Sequence, residues 1–354
     1  MSDFHHLQGS SKEWLAIQDT LPATVPNPSN LEDILALRDA TNTTREQAAA
    51  TLMQQLGPLV STQNHSIPTR DNKLLQARTY KSPSLPSSTT SPLYLHLHGG
   101  GFLFGTLSSE DAACAHVALD AQVTVLNVCY RHTPEHRYPT AWNDVADALQ
   151  WVEANLDVLG IDPQRVVVGG TSAGAWLTAS TLLTRASYPG ALRIVGQVLM
   201  IPCLVFHECI GPQLARLKDP GASSYVQNRD APILPESRMR LFSDLLEVRD
   251  PQESDLRLNP GNAEVEDVKH LPPTVFGIAG LDFLRDEGLL YAKLLHEAGI
   301  PTNVHVFAGV PHGFRRFGDR LPESARWDQV IVDGIRWALS RPTHSEAFSI
   351  DTGR

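Results

Sequence analysis

From residue 93 onward the chain repeats one pattern, a short run of β-branched and aliphatic residues followed by a longer stretch in which apolar residues recur three or four apart. The runs are LYLHLH (93–98), VTVLNV (123–128), RVVVGG (165–170), IVGQVLMI (194–201), TVFGIAG (274–280) and NVHVFAG (303–309). Each is short and almost wholly apolar, as a strand must be when helices cover both of its faces. Between the second and third runs Trp142, Val145, Leu149, Val152 and Leu156 recur at helical spacing, and Gly160 ends the helix. Strand and helix in alternation dictate a mostly parallel sheet with helices on both faces. Ahead of it, HSIPTRDNKLLQARTY reads as two strands joined at Asp71-Asn72, an antiparallel hairpin that brings the sheet to about eight strands.

Two regions stand outside this rhythm. The first sixty residues read as helical, with Ser29 and Glu32, and again Thr43 and Glu46, forming Ser/Thr-x-x-Glu capping boxes. Two helices are expected from them, the second closed by Gly57-Pro58. Residues 202–270 hold many prolines, a helix near 236–247 and no convincing strand, and read as an insertion lying over the sheet. The stretch SPSLPSSTTSP (82–92) reads as a loop.

Composition narrows the function. The 354 residues carry 29 Lys plus Arg against 39 Asp plus Glu, a net charge of −10, with no clustered basic stripe. Such a surface offers nothing to a polyphosphate backbone, so nucleic acid is not an expected partner. Cys114, Cys129, Cys203 and Cys209 fall in no C-x-x-C pair and read as reduced. No apolar stretch reaches the ~18 residues of a membrane span, and the N-terminus lacks a signal-peptide pattern. A cytoplasmic location is the expectation.

The chemistry concentrates at strand ends. Gly170-Thr171-Ser172-Ala173-Gly174 is a G-x-S-x-G between a strand and an Ala/Leu-rich helix, the context of a nucleophile elbow. A serine hydroxyl needs a base within hydrogen-bond reach, itself oriented by a third group. Asp282 follows TVFGIAG by two residues, and His312 follows NVHVFAG. Asp286 and Glu287 are rivals for the acid, while His305, inside a strand, and His296, on a helix, are worse placed for the base. After the first run come Gly99, Gly100 and Gly101. Glycine is conformationally expensive, so a triple glycine here implies close backbone approach to a reacting group. The N–H groups of Gly100, Gly101 and Ala173 are the expected oxyanion donors, and a side chain on Gly100 or Gly101 is expected to crowd the reacting carbonyl.

HGGGF (98–102), YRHTPEHRYP (130–139), GTSAG (170–174), DFLRDEG (282–288) and PHGF (311–314) together resemble the hormone-sensitive-lipase-like branch of the α/β-hydrolases, over roughly residues 65 to 340. The resemblance implies an α/β-hydrolase fold with a helical cap made from residues 1–60 and the 202–270 insertion. The catalytic core would be 61–201 with 271–340, and residues 341–354 a C-terminal tail. It assigns Ser172 as nucleophile, Asp282 as acid, His312 as base, and Gly100, Gly101 and Ala173 as oxyanion donors. Tyr130, Arg131 and Glu135 would brace the glycine loop, although a satisfied ion pair is the plainer reading of Arg131 and Glu135. His98 reads as structural. Phe102, Trp176, Phe283, Trp14 and Phe206, with Tyr225 and Phe242, are candidates for an apolar pocket, or for ordinary packing.

The implied activity is hydrolysis of carboxylic esters of small, fairly apolar molecules through an acyl-serine, in a setting that includes secondary metabolism. Neither cofactor nor metal is needed. An amidase, acyltransferase or lyase would use the same site, and a non-catalytic receptor of the same fold is the remaining alternative. Association into a homodimer through the last strand and neighbouring helices is left open by the resemblance.

Overall fold

The computed structural model describes residues 2–21, 27–85, 90–185 and 190–353; the loop read at 82–92 lies partly outside them. Eight strands form one sheet: β1 (Ser61–Pro68), β2 (Leu74–Lys81), β3 (Ser91–Leu97), β4 (Thr124–Cys129), β5 (Ile161–Thr171), β6 (Ile194–Met200), β7 (Thr274–Ala279) and β8 (Thr302–Phe307). Their spatial order is β1-β2-β4-β3-β5-β6-β7-β8. β1 and β2 are the expected hairpin, antiparallel from Ser61 opposite Lys81 to Pro68 opposite Leu74, with Asn72 at φ 60 in the turn. β2 runs antiparallel to β4, and every later pairing is parallel.

The twelve α-helices of the described residues are α1 (Lys12–Gln18), α2 (Leu31–Leu56), α3 (Asp111–Ala121), α4 (Thr140–Ala154), α5 (Leu156–Leu159), α6 (Ala173–Arg185), α7 (Gly211–Arg216), α8 (Ser224–Gln227), α9 (Glu236–Leu246), α10 (Val265–Val268), α11 (Arg285–Glu297) and α12 (Pro322–Leu339). Side chains alternate across the parallel strands. Leu93, Leu95, Leu97, Val166 and Val168 join a core with α4, α6 and α11. Tyr94, Val125, Val167 and Val198 join a second core with α3 and α12 on the opposite face. Both faces are therefore dry, which is why these strands read as unbroken apolar runs.

The N-terminal expectation needs correction. Residues 31–56 form one helix, capped by Asn30, whose side chain accepts from the Asp33 N–H at 2.9 Å. Neither expected capping box is used: Asn30 with Asp33 replaces Ser29 with Glu32, and Glu46 accepts from the Thr106 hydroxyl at 2.6 Å instead of reaching back to Thr43. A tertiary partner has overridden a local cap. Helix α1, capped by Ser11, was not among the expected starts.

Residues 202–270 hold α7 to α10 and no strand. At the other end of the chain, Asp351 pairs with β8: its N–H donates to Val304, and its carbonyl accepts from Val306, each at 2.8 Å. All four cysteines are free thiols. No helix among the described residues is long and apolar enough to cross a membrane.

Candidate active site

β5 stops at Thr171 and α6 starts at Ala173, leaving Ser172 alone at the bend with φ 54. A non-glycine residue in this left-handed region is strained, and such strain gathers at functional sites. The flanking glycines are required by the neighbouring strand end. A Cβ on Gly174 would stand 2.0 Å from the Leu97 carbonyl oxygen, and one on Gly170 would stand 2.6 Å from the same oxygen. The Ser172 N–H is anchored to the Met200 carbonyl at 2.8 Å.

Two loops from the carboxyl ends of β7 and β8 meet this serine. His312 Nε2 lies 3.1 Å from Ser172 Oγ, and His312 Nδ1 lies 2.6 Å from Asp282 Oδ2. Asp282 and His312 are buried, whereas Ser172 keeps part of its surface open. The second oxygen of Asp282 accepts from the Leu284 N–H at 3.0 Å, which fixes the carboxylate plane. Asn228, from the 202–270 segment, donates to the Asp282 carbonyl at 2.9 Å and in turn accepts from Gln8 at 2.8 Å. Neither Gln8 nor Asn228 carried any signal in the sequence, because their partners are distant along the chain.

The rival residues are engaged elsewhere. Asp286 accepts from Arg285 Nε at 2.8 Å and from the Ser224 N–H at 2.7 Å. Glu287 accepts from the Leu204 and Val205 N–H groups at 2.7 and 3.1 Å. His305 pairs with Asp351, and the His296 ring sits against His344. Burial pushes the Glu287 carboxyl up to about 8, against 4.5 ordinarily, despite its backbone donors. The folded chain then holds a proton between those values that an unfolded chain releases, so this group's contribution to stability falls as pH rises through that window. The melting temperature of wild type relative to Glu287→Gln is therefore expected to drop between about pH 5 and pH 8. A difference that stays constant across that range contradicts the buried protonated acid.

The glycine loop runs against the elbow: a Cβ on Gly99 would stand 2.8 Å from the Thr171 carbonyl oxygen and 3.4 Å from Ser172 Cβ. Gly100, Gly101 and Phe102 have φ of 141, 60 and 60. Among the described residues the N–H groups of Gly100, Gly101 and Ala173 find no protein acceptor. The fold supplies a further reason for the glycines. A Cβ on Gly100 would strike the Phe104 carbonyl oxygen at 2.2 Å, and one on Gly101 would strike the Phe242 ring of α9 at 2.3 Å.

Bracing of this loop also differs in part. Tyr130 donates to the His98 carbonyl at 2.7 Å and stacks on its ring at 4.3 Å. His98 itself is wholly buried, which pulls its imidazole down to about 4 and suits a structural role. Arg131 instead joins Asp144 of α4 to Asp71 of the hairpin turn, and Glu135 pairs with Arg38 of α2; neither touches the glycine loop. The other braces come from α2, where Asn42 accepts from the Gly105 N–H at 2.8 Å, Arg45 donates to the Gly99 carbonyl at 3.3 Å, and Glu46 holds Thr106.

Of the pocket candidates, Phe102 stacks on Trp142 at 4.8 Å with Trp176 edge-on at 5.6 Å. Trp176 donates to the Leu258 carbonyl at 2.7 Å, tying α6 to the insertion. Phe283 packs on Tyr225 at 5.2 Å, and Phe206 is buried in the same core. Trp14 is placed otherwise: it is wholly buried against Phe317, in the core on the opposite face of the sheet, and offers a ligand no surface. A cavity of about 420 Å³ is lined by Arg137, Tyr138, Val248 and Asp255 among others. It does not reach the serine.

A family profile for the alpha/beta hydrolase fold matches residues 94–316. Esterase LipI of Mycobacterium tuberculosis is 34% identical over 249 residues, 69% of this chain and 72% of that protein. The ethyl acetate hydrolase of Pseudomonas putida is 31% identical over 274 residues, 77% of this chain and 82% of that protein. The solved vibralactone cyclase superposes with a TM-score of 0.80 at 26% identity, covering 96% of this chain and 97% of that one. With its sheet order and a family match across most of its length, the chain belongs to the hormone-sensitive-lipase-like branch of the α/β-hydrolase fold family.

Proposed function

We propose that this chain is a carboxylesterase that works through an acyl-serine on Ser172. The observation that carries the reading is the hydrogen-bonded series Ser172 Oγ, His312 Nε2, His312 Nδ1, Asp282 Oδ2, with spacings of 3.1 and 2.6 Å. In it His312 takes the proton of Ser172 as the oxygen attacks the ester carbonyl, and Asp282 supports the imidazolium. The former carbonyl oxygen becomes negative and is received by the N–H groups of Gly100, Gly101 and Ala173. One such donor is worth about 2.7–4 kcal/mol in comparable sites. Collapse expels the alcohol, which takes the proton from His312, and water attacks the acyl-serine by the same route in reverse.

Residues 1–60 and 202–270 act as the roof, residues 61–201 and 271–340 as the catalytic body, and 341–354 as a tail. What supports this division is that α2 and α9 both reach the glycine loop, through Asn42, Arg45 and Phe242. Apolar rings there, with an esterase and an ethyl acetate hydrolase among the relatives, favour small esters with an apolar body. The test is a series of aryl esters of increasing acyl length, with amide and lactone analogues, combined with intact-mass detection of an acyl adduct mapped to Ser172. Absence of both turnover and adduct would end this reading. A second reading is favoured by the likeness to a vibralactone cyclase: the acyl acceptor is a hydroxyl of the same molecule, so that a lactone rather than an acid leaves. Product analysis with hydroxy-ester substrates separates the two.

The roof makes a direct prediction. Gly101→Ala forces a Cβ into the Phe242 ring and holds alanine at φ 60, a backbone cost alone of about 1–2 kcal/mol. Turnover should fall by on the order of tenfold or more. Adding Phe242→Ala should restore part of the loss. Equal activity of the single and double variants would show that Phe242 does not limit that position.

A further inference from the structure

Two guanidinium groups bonded to the Gly99 and Gly313 carbonyls, beside Ser172 and His312 in the chain's fold, have no carboxylate partner among the described residues. Arg45, on α2, donates from Nη1 to the Gly99 carbonyl at 3.3 Å and lies over the Phe104 ring, 5.7 Å from its centroid. Arg316 donates from Nε to the Gly313 carbonyl at 3.1 Å. Gly99 abuts Ser172, and Gly313 follows His312, so each arginine is tethered next to one member of the Ser172–His312 pair. Among the described residues neither forms an ion pair. This is not for want of acids in the region, since Arg315, the immediate neighbour of Arg316, is held by both oxygens of Asp328, and Arg131 has Asp144 and Asp71.

The nearby carboxylates are already engaged. Glu46 accepts from Thr106, Glu110 faces His96 Nε2 at 3.1 Å, and Asp282 serves His312. Arg316 is open to solvent, yet the surrounding protein and the like charge of Arg45 draw its guanidinium down to about 10. Two like charges that disfavour each other, each with N–H groups to spare, are relieved by an anion from outside. The planar fork of arginine fits a carboxylate with two parallel hydrogen bonds. The net charge of −10 repels anions at a distance, but beyond the ~8 Å screening length of physiological salt that repulsion is weak, so the local pair decides.

We propose that Arg45 and Arg316 form a carboxylate clamp at the mouth of the site. The preferred substrates are then esters with an apolar body and one free carboxylate, such as half-esters of dicarboxylic acids. The inference rests on the acyl-serine reading above. Its test compares the monomethyl and dimethyl esters of succinic, glutaric and adipic acids, followed by chromatography of the acids released. Wild type should show a kcat/KM ratio of half-ester to diester above one for at least one chain length. That ratio should fall about tenfold in Arg316→Gln, chiefly through KM, with partial recovery in Arg316→Lys and a decline with added salt. Arg45→Gln should act in the same direction, although its contact with Gly99 makes Arg316 the cleaner probe. If Arg316→Gln lowers both substrates equally, or changes neither, the clamp is refuted while Ser172-dependent diester hydrolysis keeps the esterase reading alive. If wild type turns over neither class and forms no adduct at Ser172, both fall together.

Discussion

Replacing Ser172 with alanine is expected to remove ester turnover, lowering kcat by on the order of 10⁴- to 10⁶-fold while leaving the fold in place. The size follows from the lack of a second nucleophile on His312, whose Nε2 faces Ser172 Oγ and whose Nδ1 is occupied by Asp282. The fold should survive because Ser172 is held by its backbone, through the N–H bond to Met200, and alanine adds no bulk at the strained bend. The measurement is kcat/KM on the best aryl ester, with stoichiometric labelling by a fluorophosphonate and circular dichroism as the check on folding. A folded variant that still labels and turns over would move the nucleophile elsewhere.

Asp282→Asn is expected to cost about 10⁴-fold in kcat, with little change in KM. Asp282 Oδ2 sits 2.6 Å from His312 Nδ1 in a buried setting, so under the proposed acyl-serine mechanism the carboxylate would fix which ring nitrogen carries the proton and stabilise the imidazolium. An amide keeps the shape but loses the charge, and can present its own N–H to Nδ1, leaving the wrong tautomer toward Ser172. Asp286→Asn is the informative contrast. Asp286 is spent on Arg285 and the Ser224 N–H, and Arg285 is wholly buried, so its removal should act on stability, by about 3–5 kcal/mol, rather than on chemistry. Turnover lost in a stable Asp286→Asn protein, and retained in Asp282→Asn, would reverse the assignment of the acid.

How much was legible in the sequence follows a physical division. Strands β3 to β7 stood out because both of their faces are largely dry, and the hairpin because Asp71-Asn72 is a turn sequence. Ser172, Asp282 and His312 could be singled out together because each follows a strand end, and parallel strands deliver all their carboxyl ends to one edge. Non-local contacts stayed hidden. Nothing near Thr43 announces that Glu46 will be taken by Thr106, and nothing near Gly101 announces the ring of Phe242. The triple glycine was visible as a demand for space, but what fills that space comes from a helix far along the chain. For Arg131 the plainer reading, a satisfied ion pair, holds, but its partners Asp144 and Asp71 lie on other elements and could not be named from YRHTPEHRYP.

The Asp351 pairing has a bearing on self-association. By taking both backbone bonds offered between Val304 and Val306, and with its side chain 2.9 Å from His305 Nδ1, this residue seals the outer margin of the sheet at that point. Joining two sheets into one across β8 would therefore first have to displace Asp351 from Val304 and Val306. The opposite margin, β1, lies largely exposed along its length and keeps no such seal among the described residues.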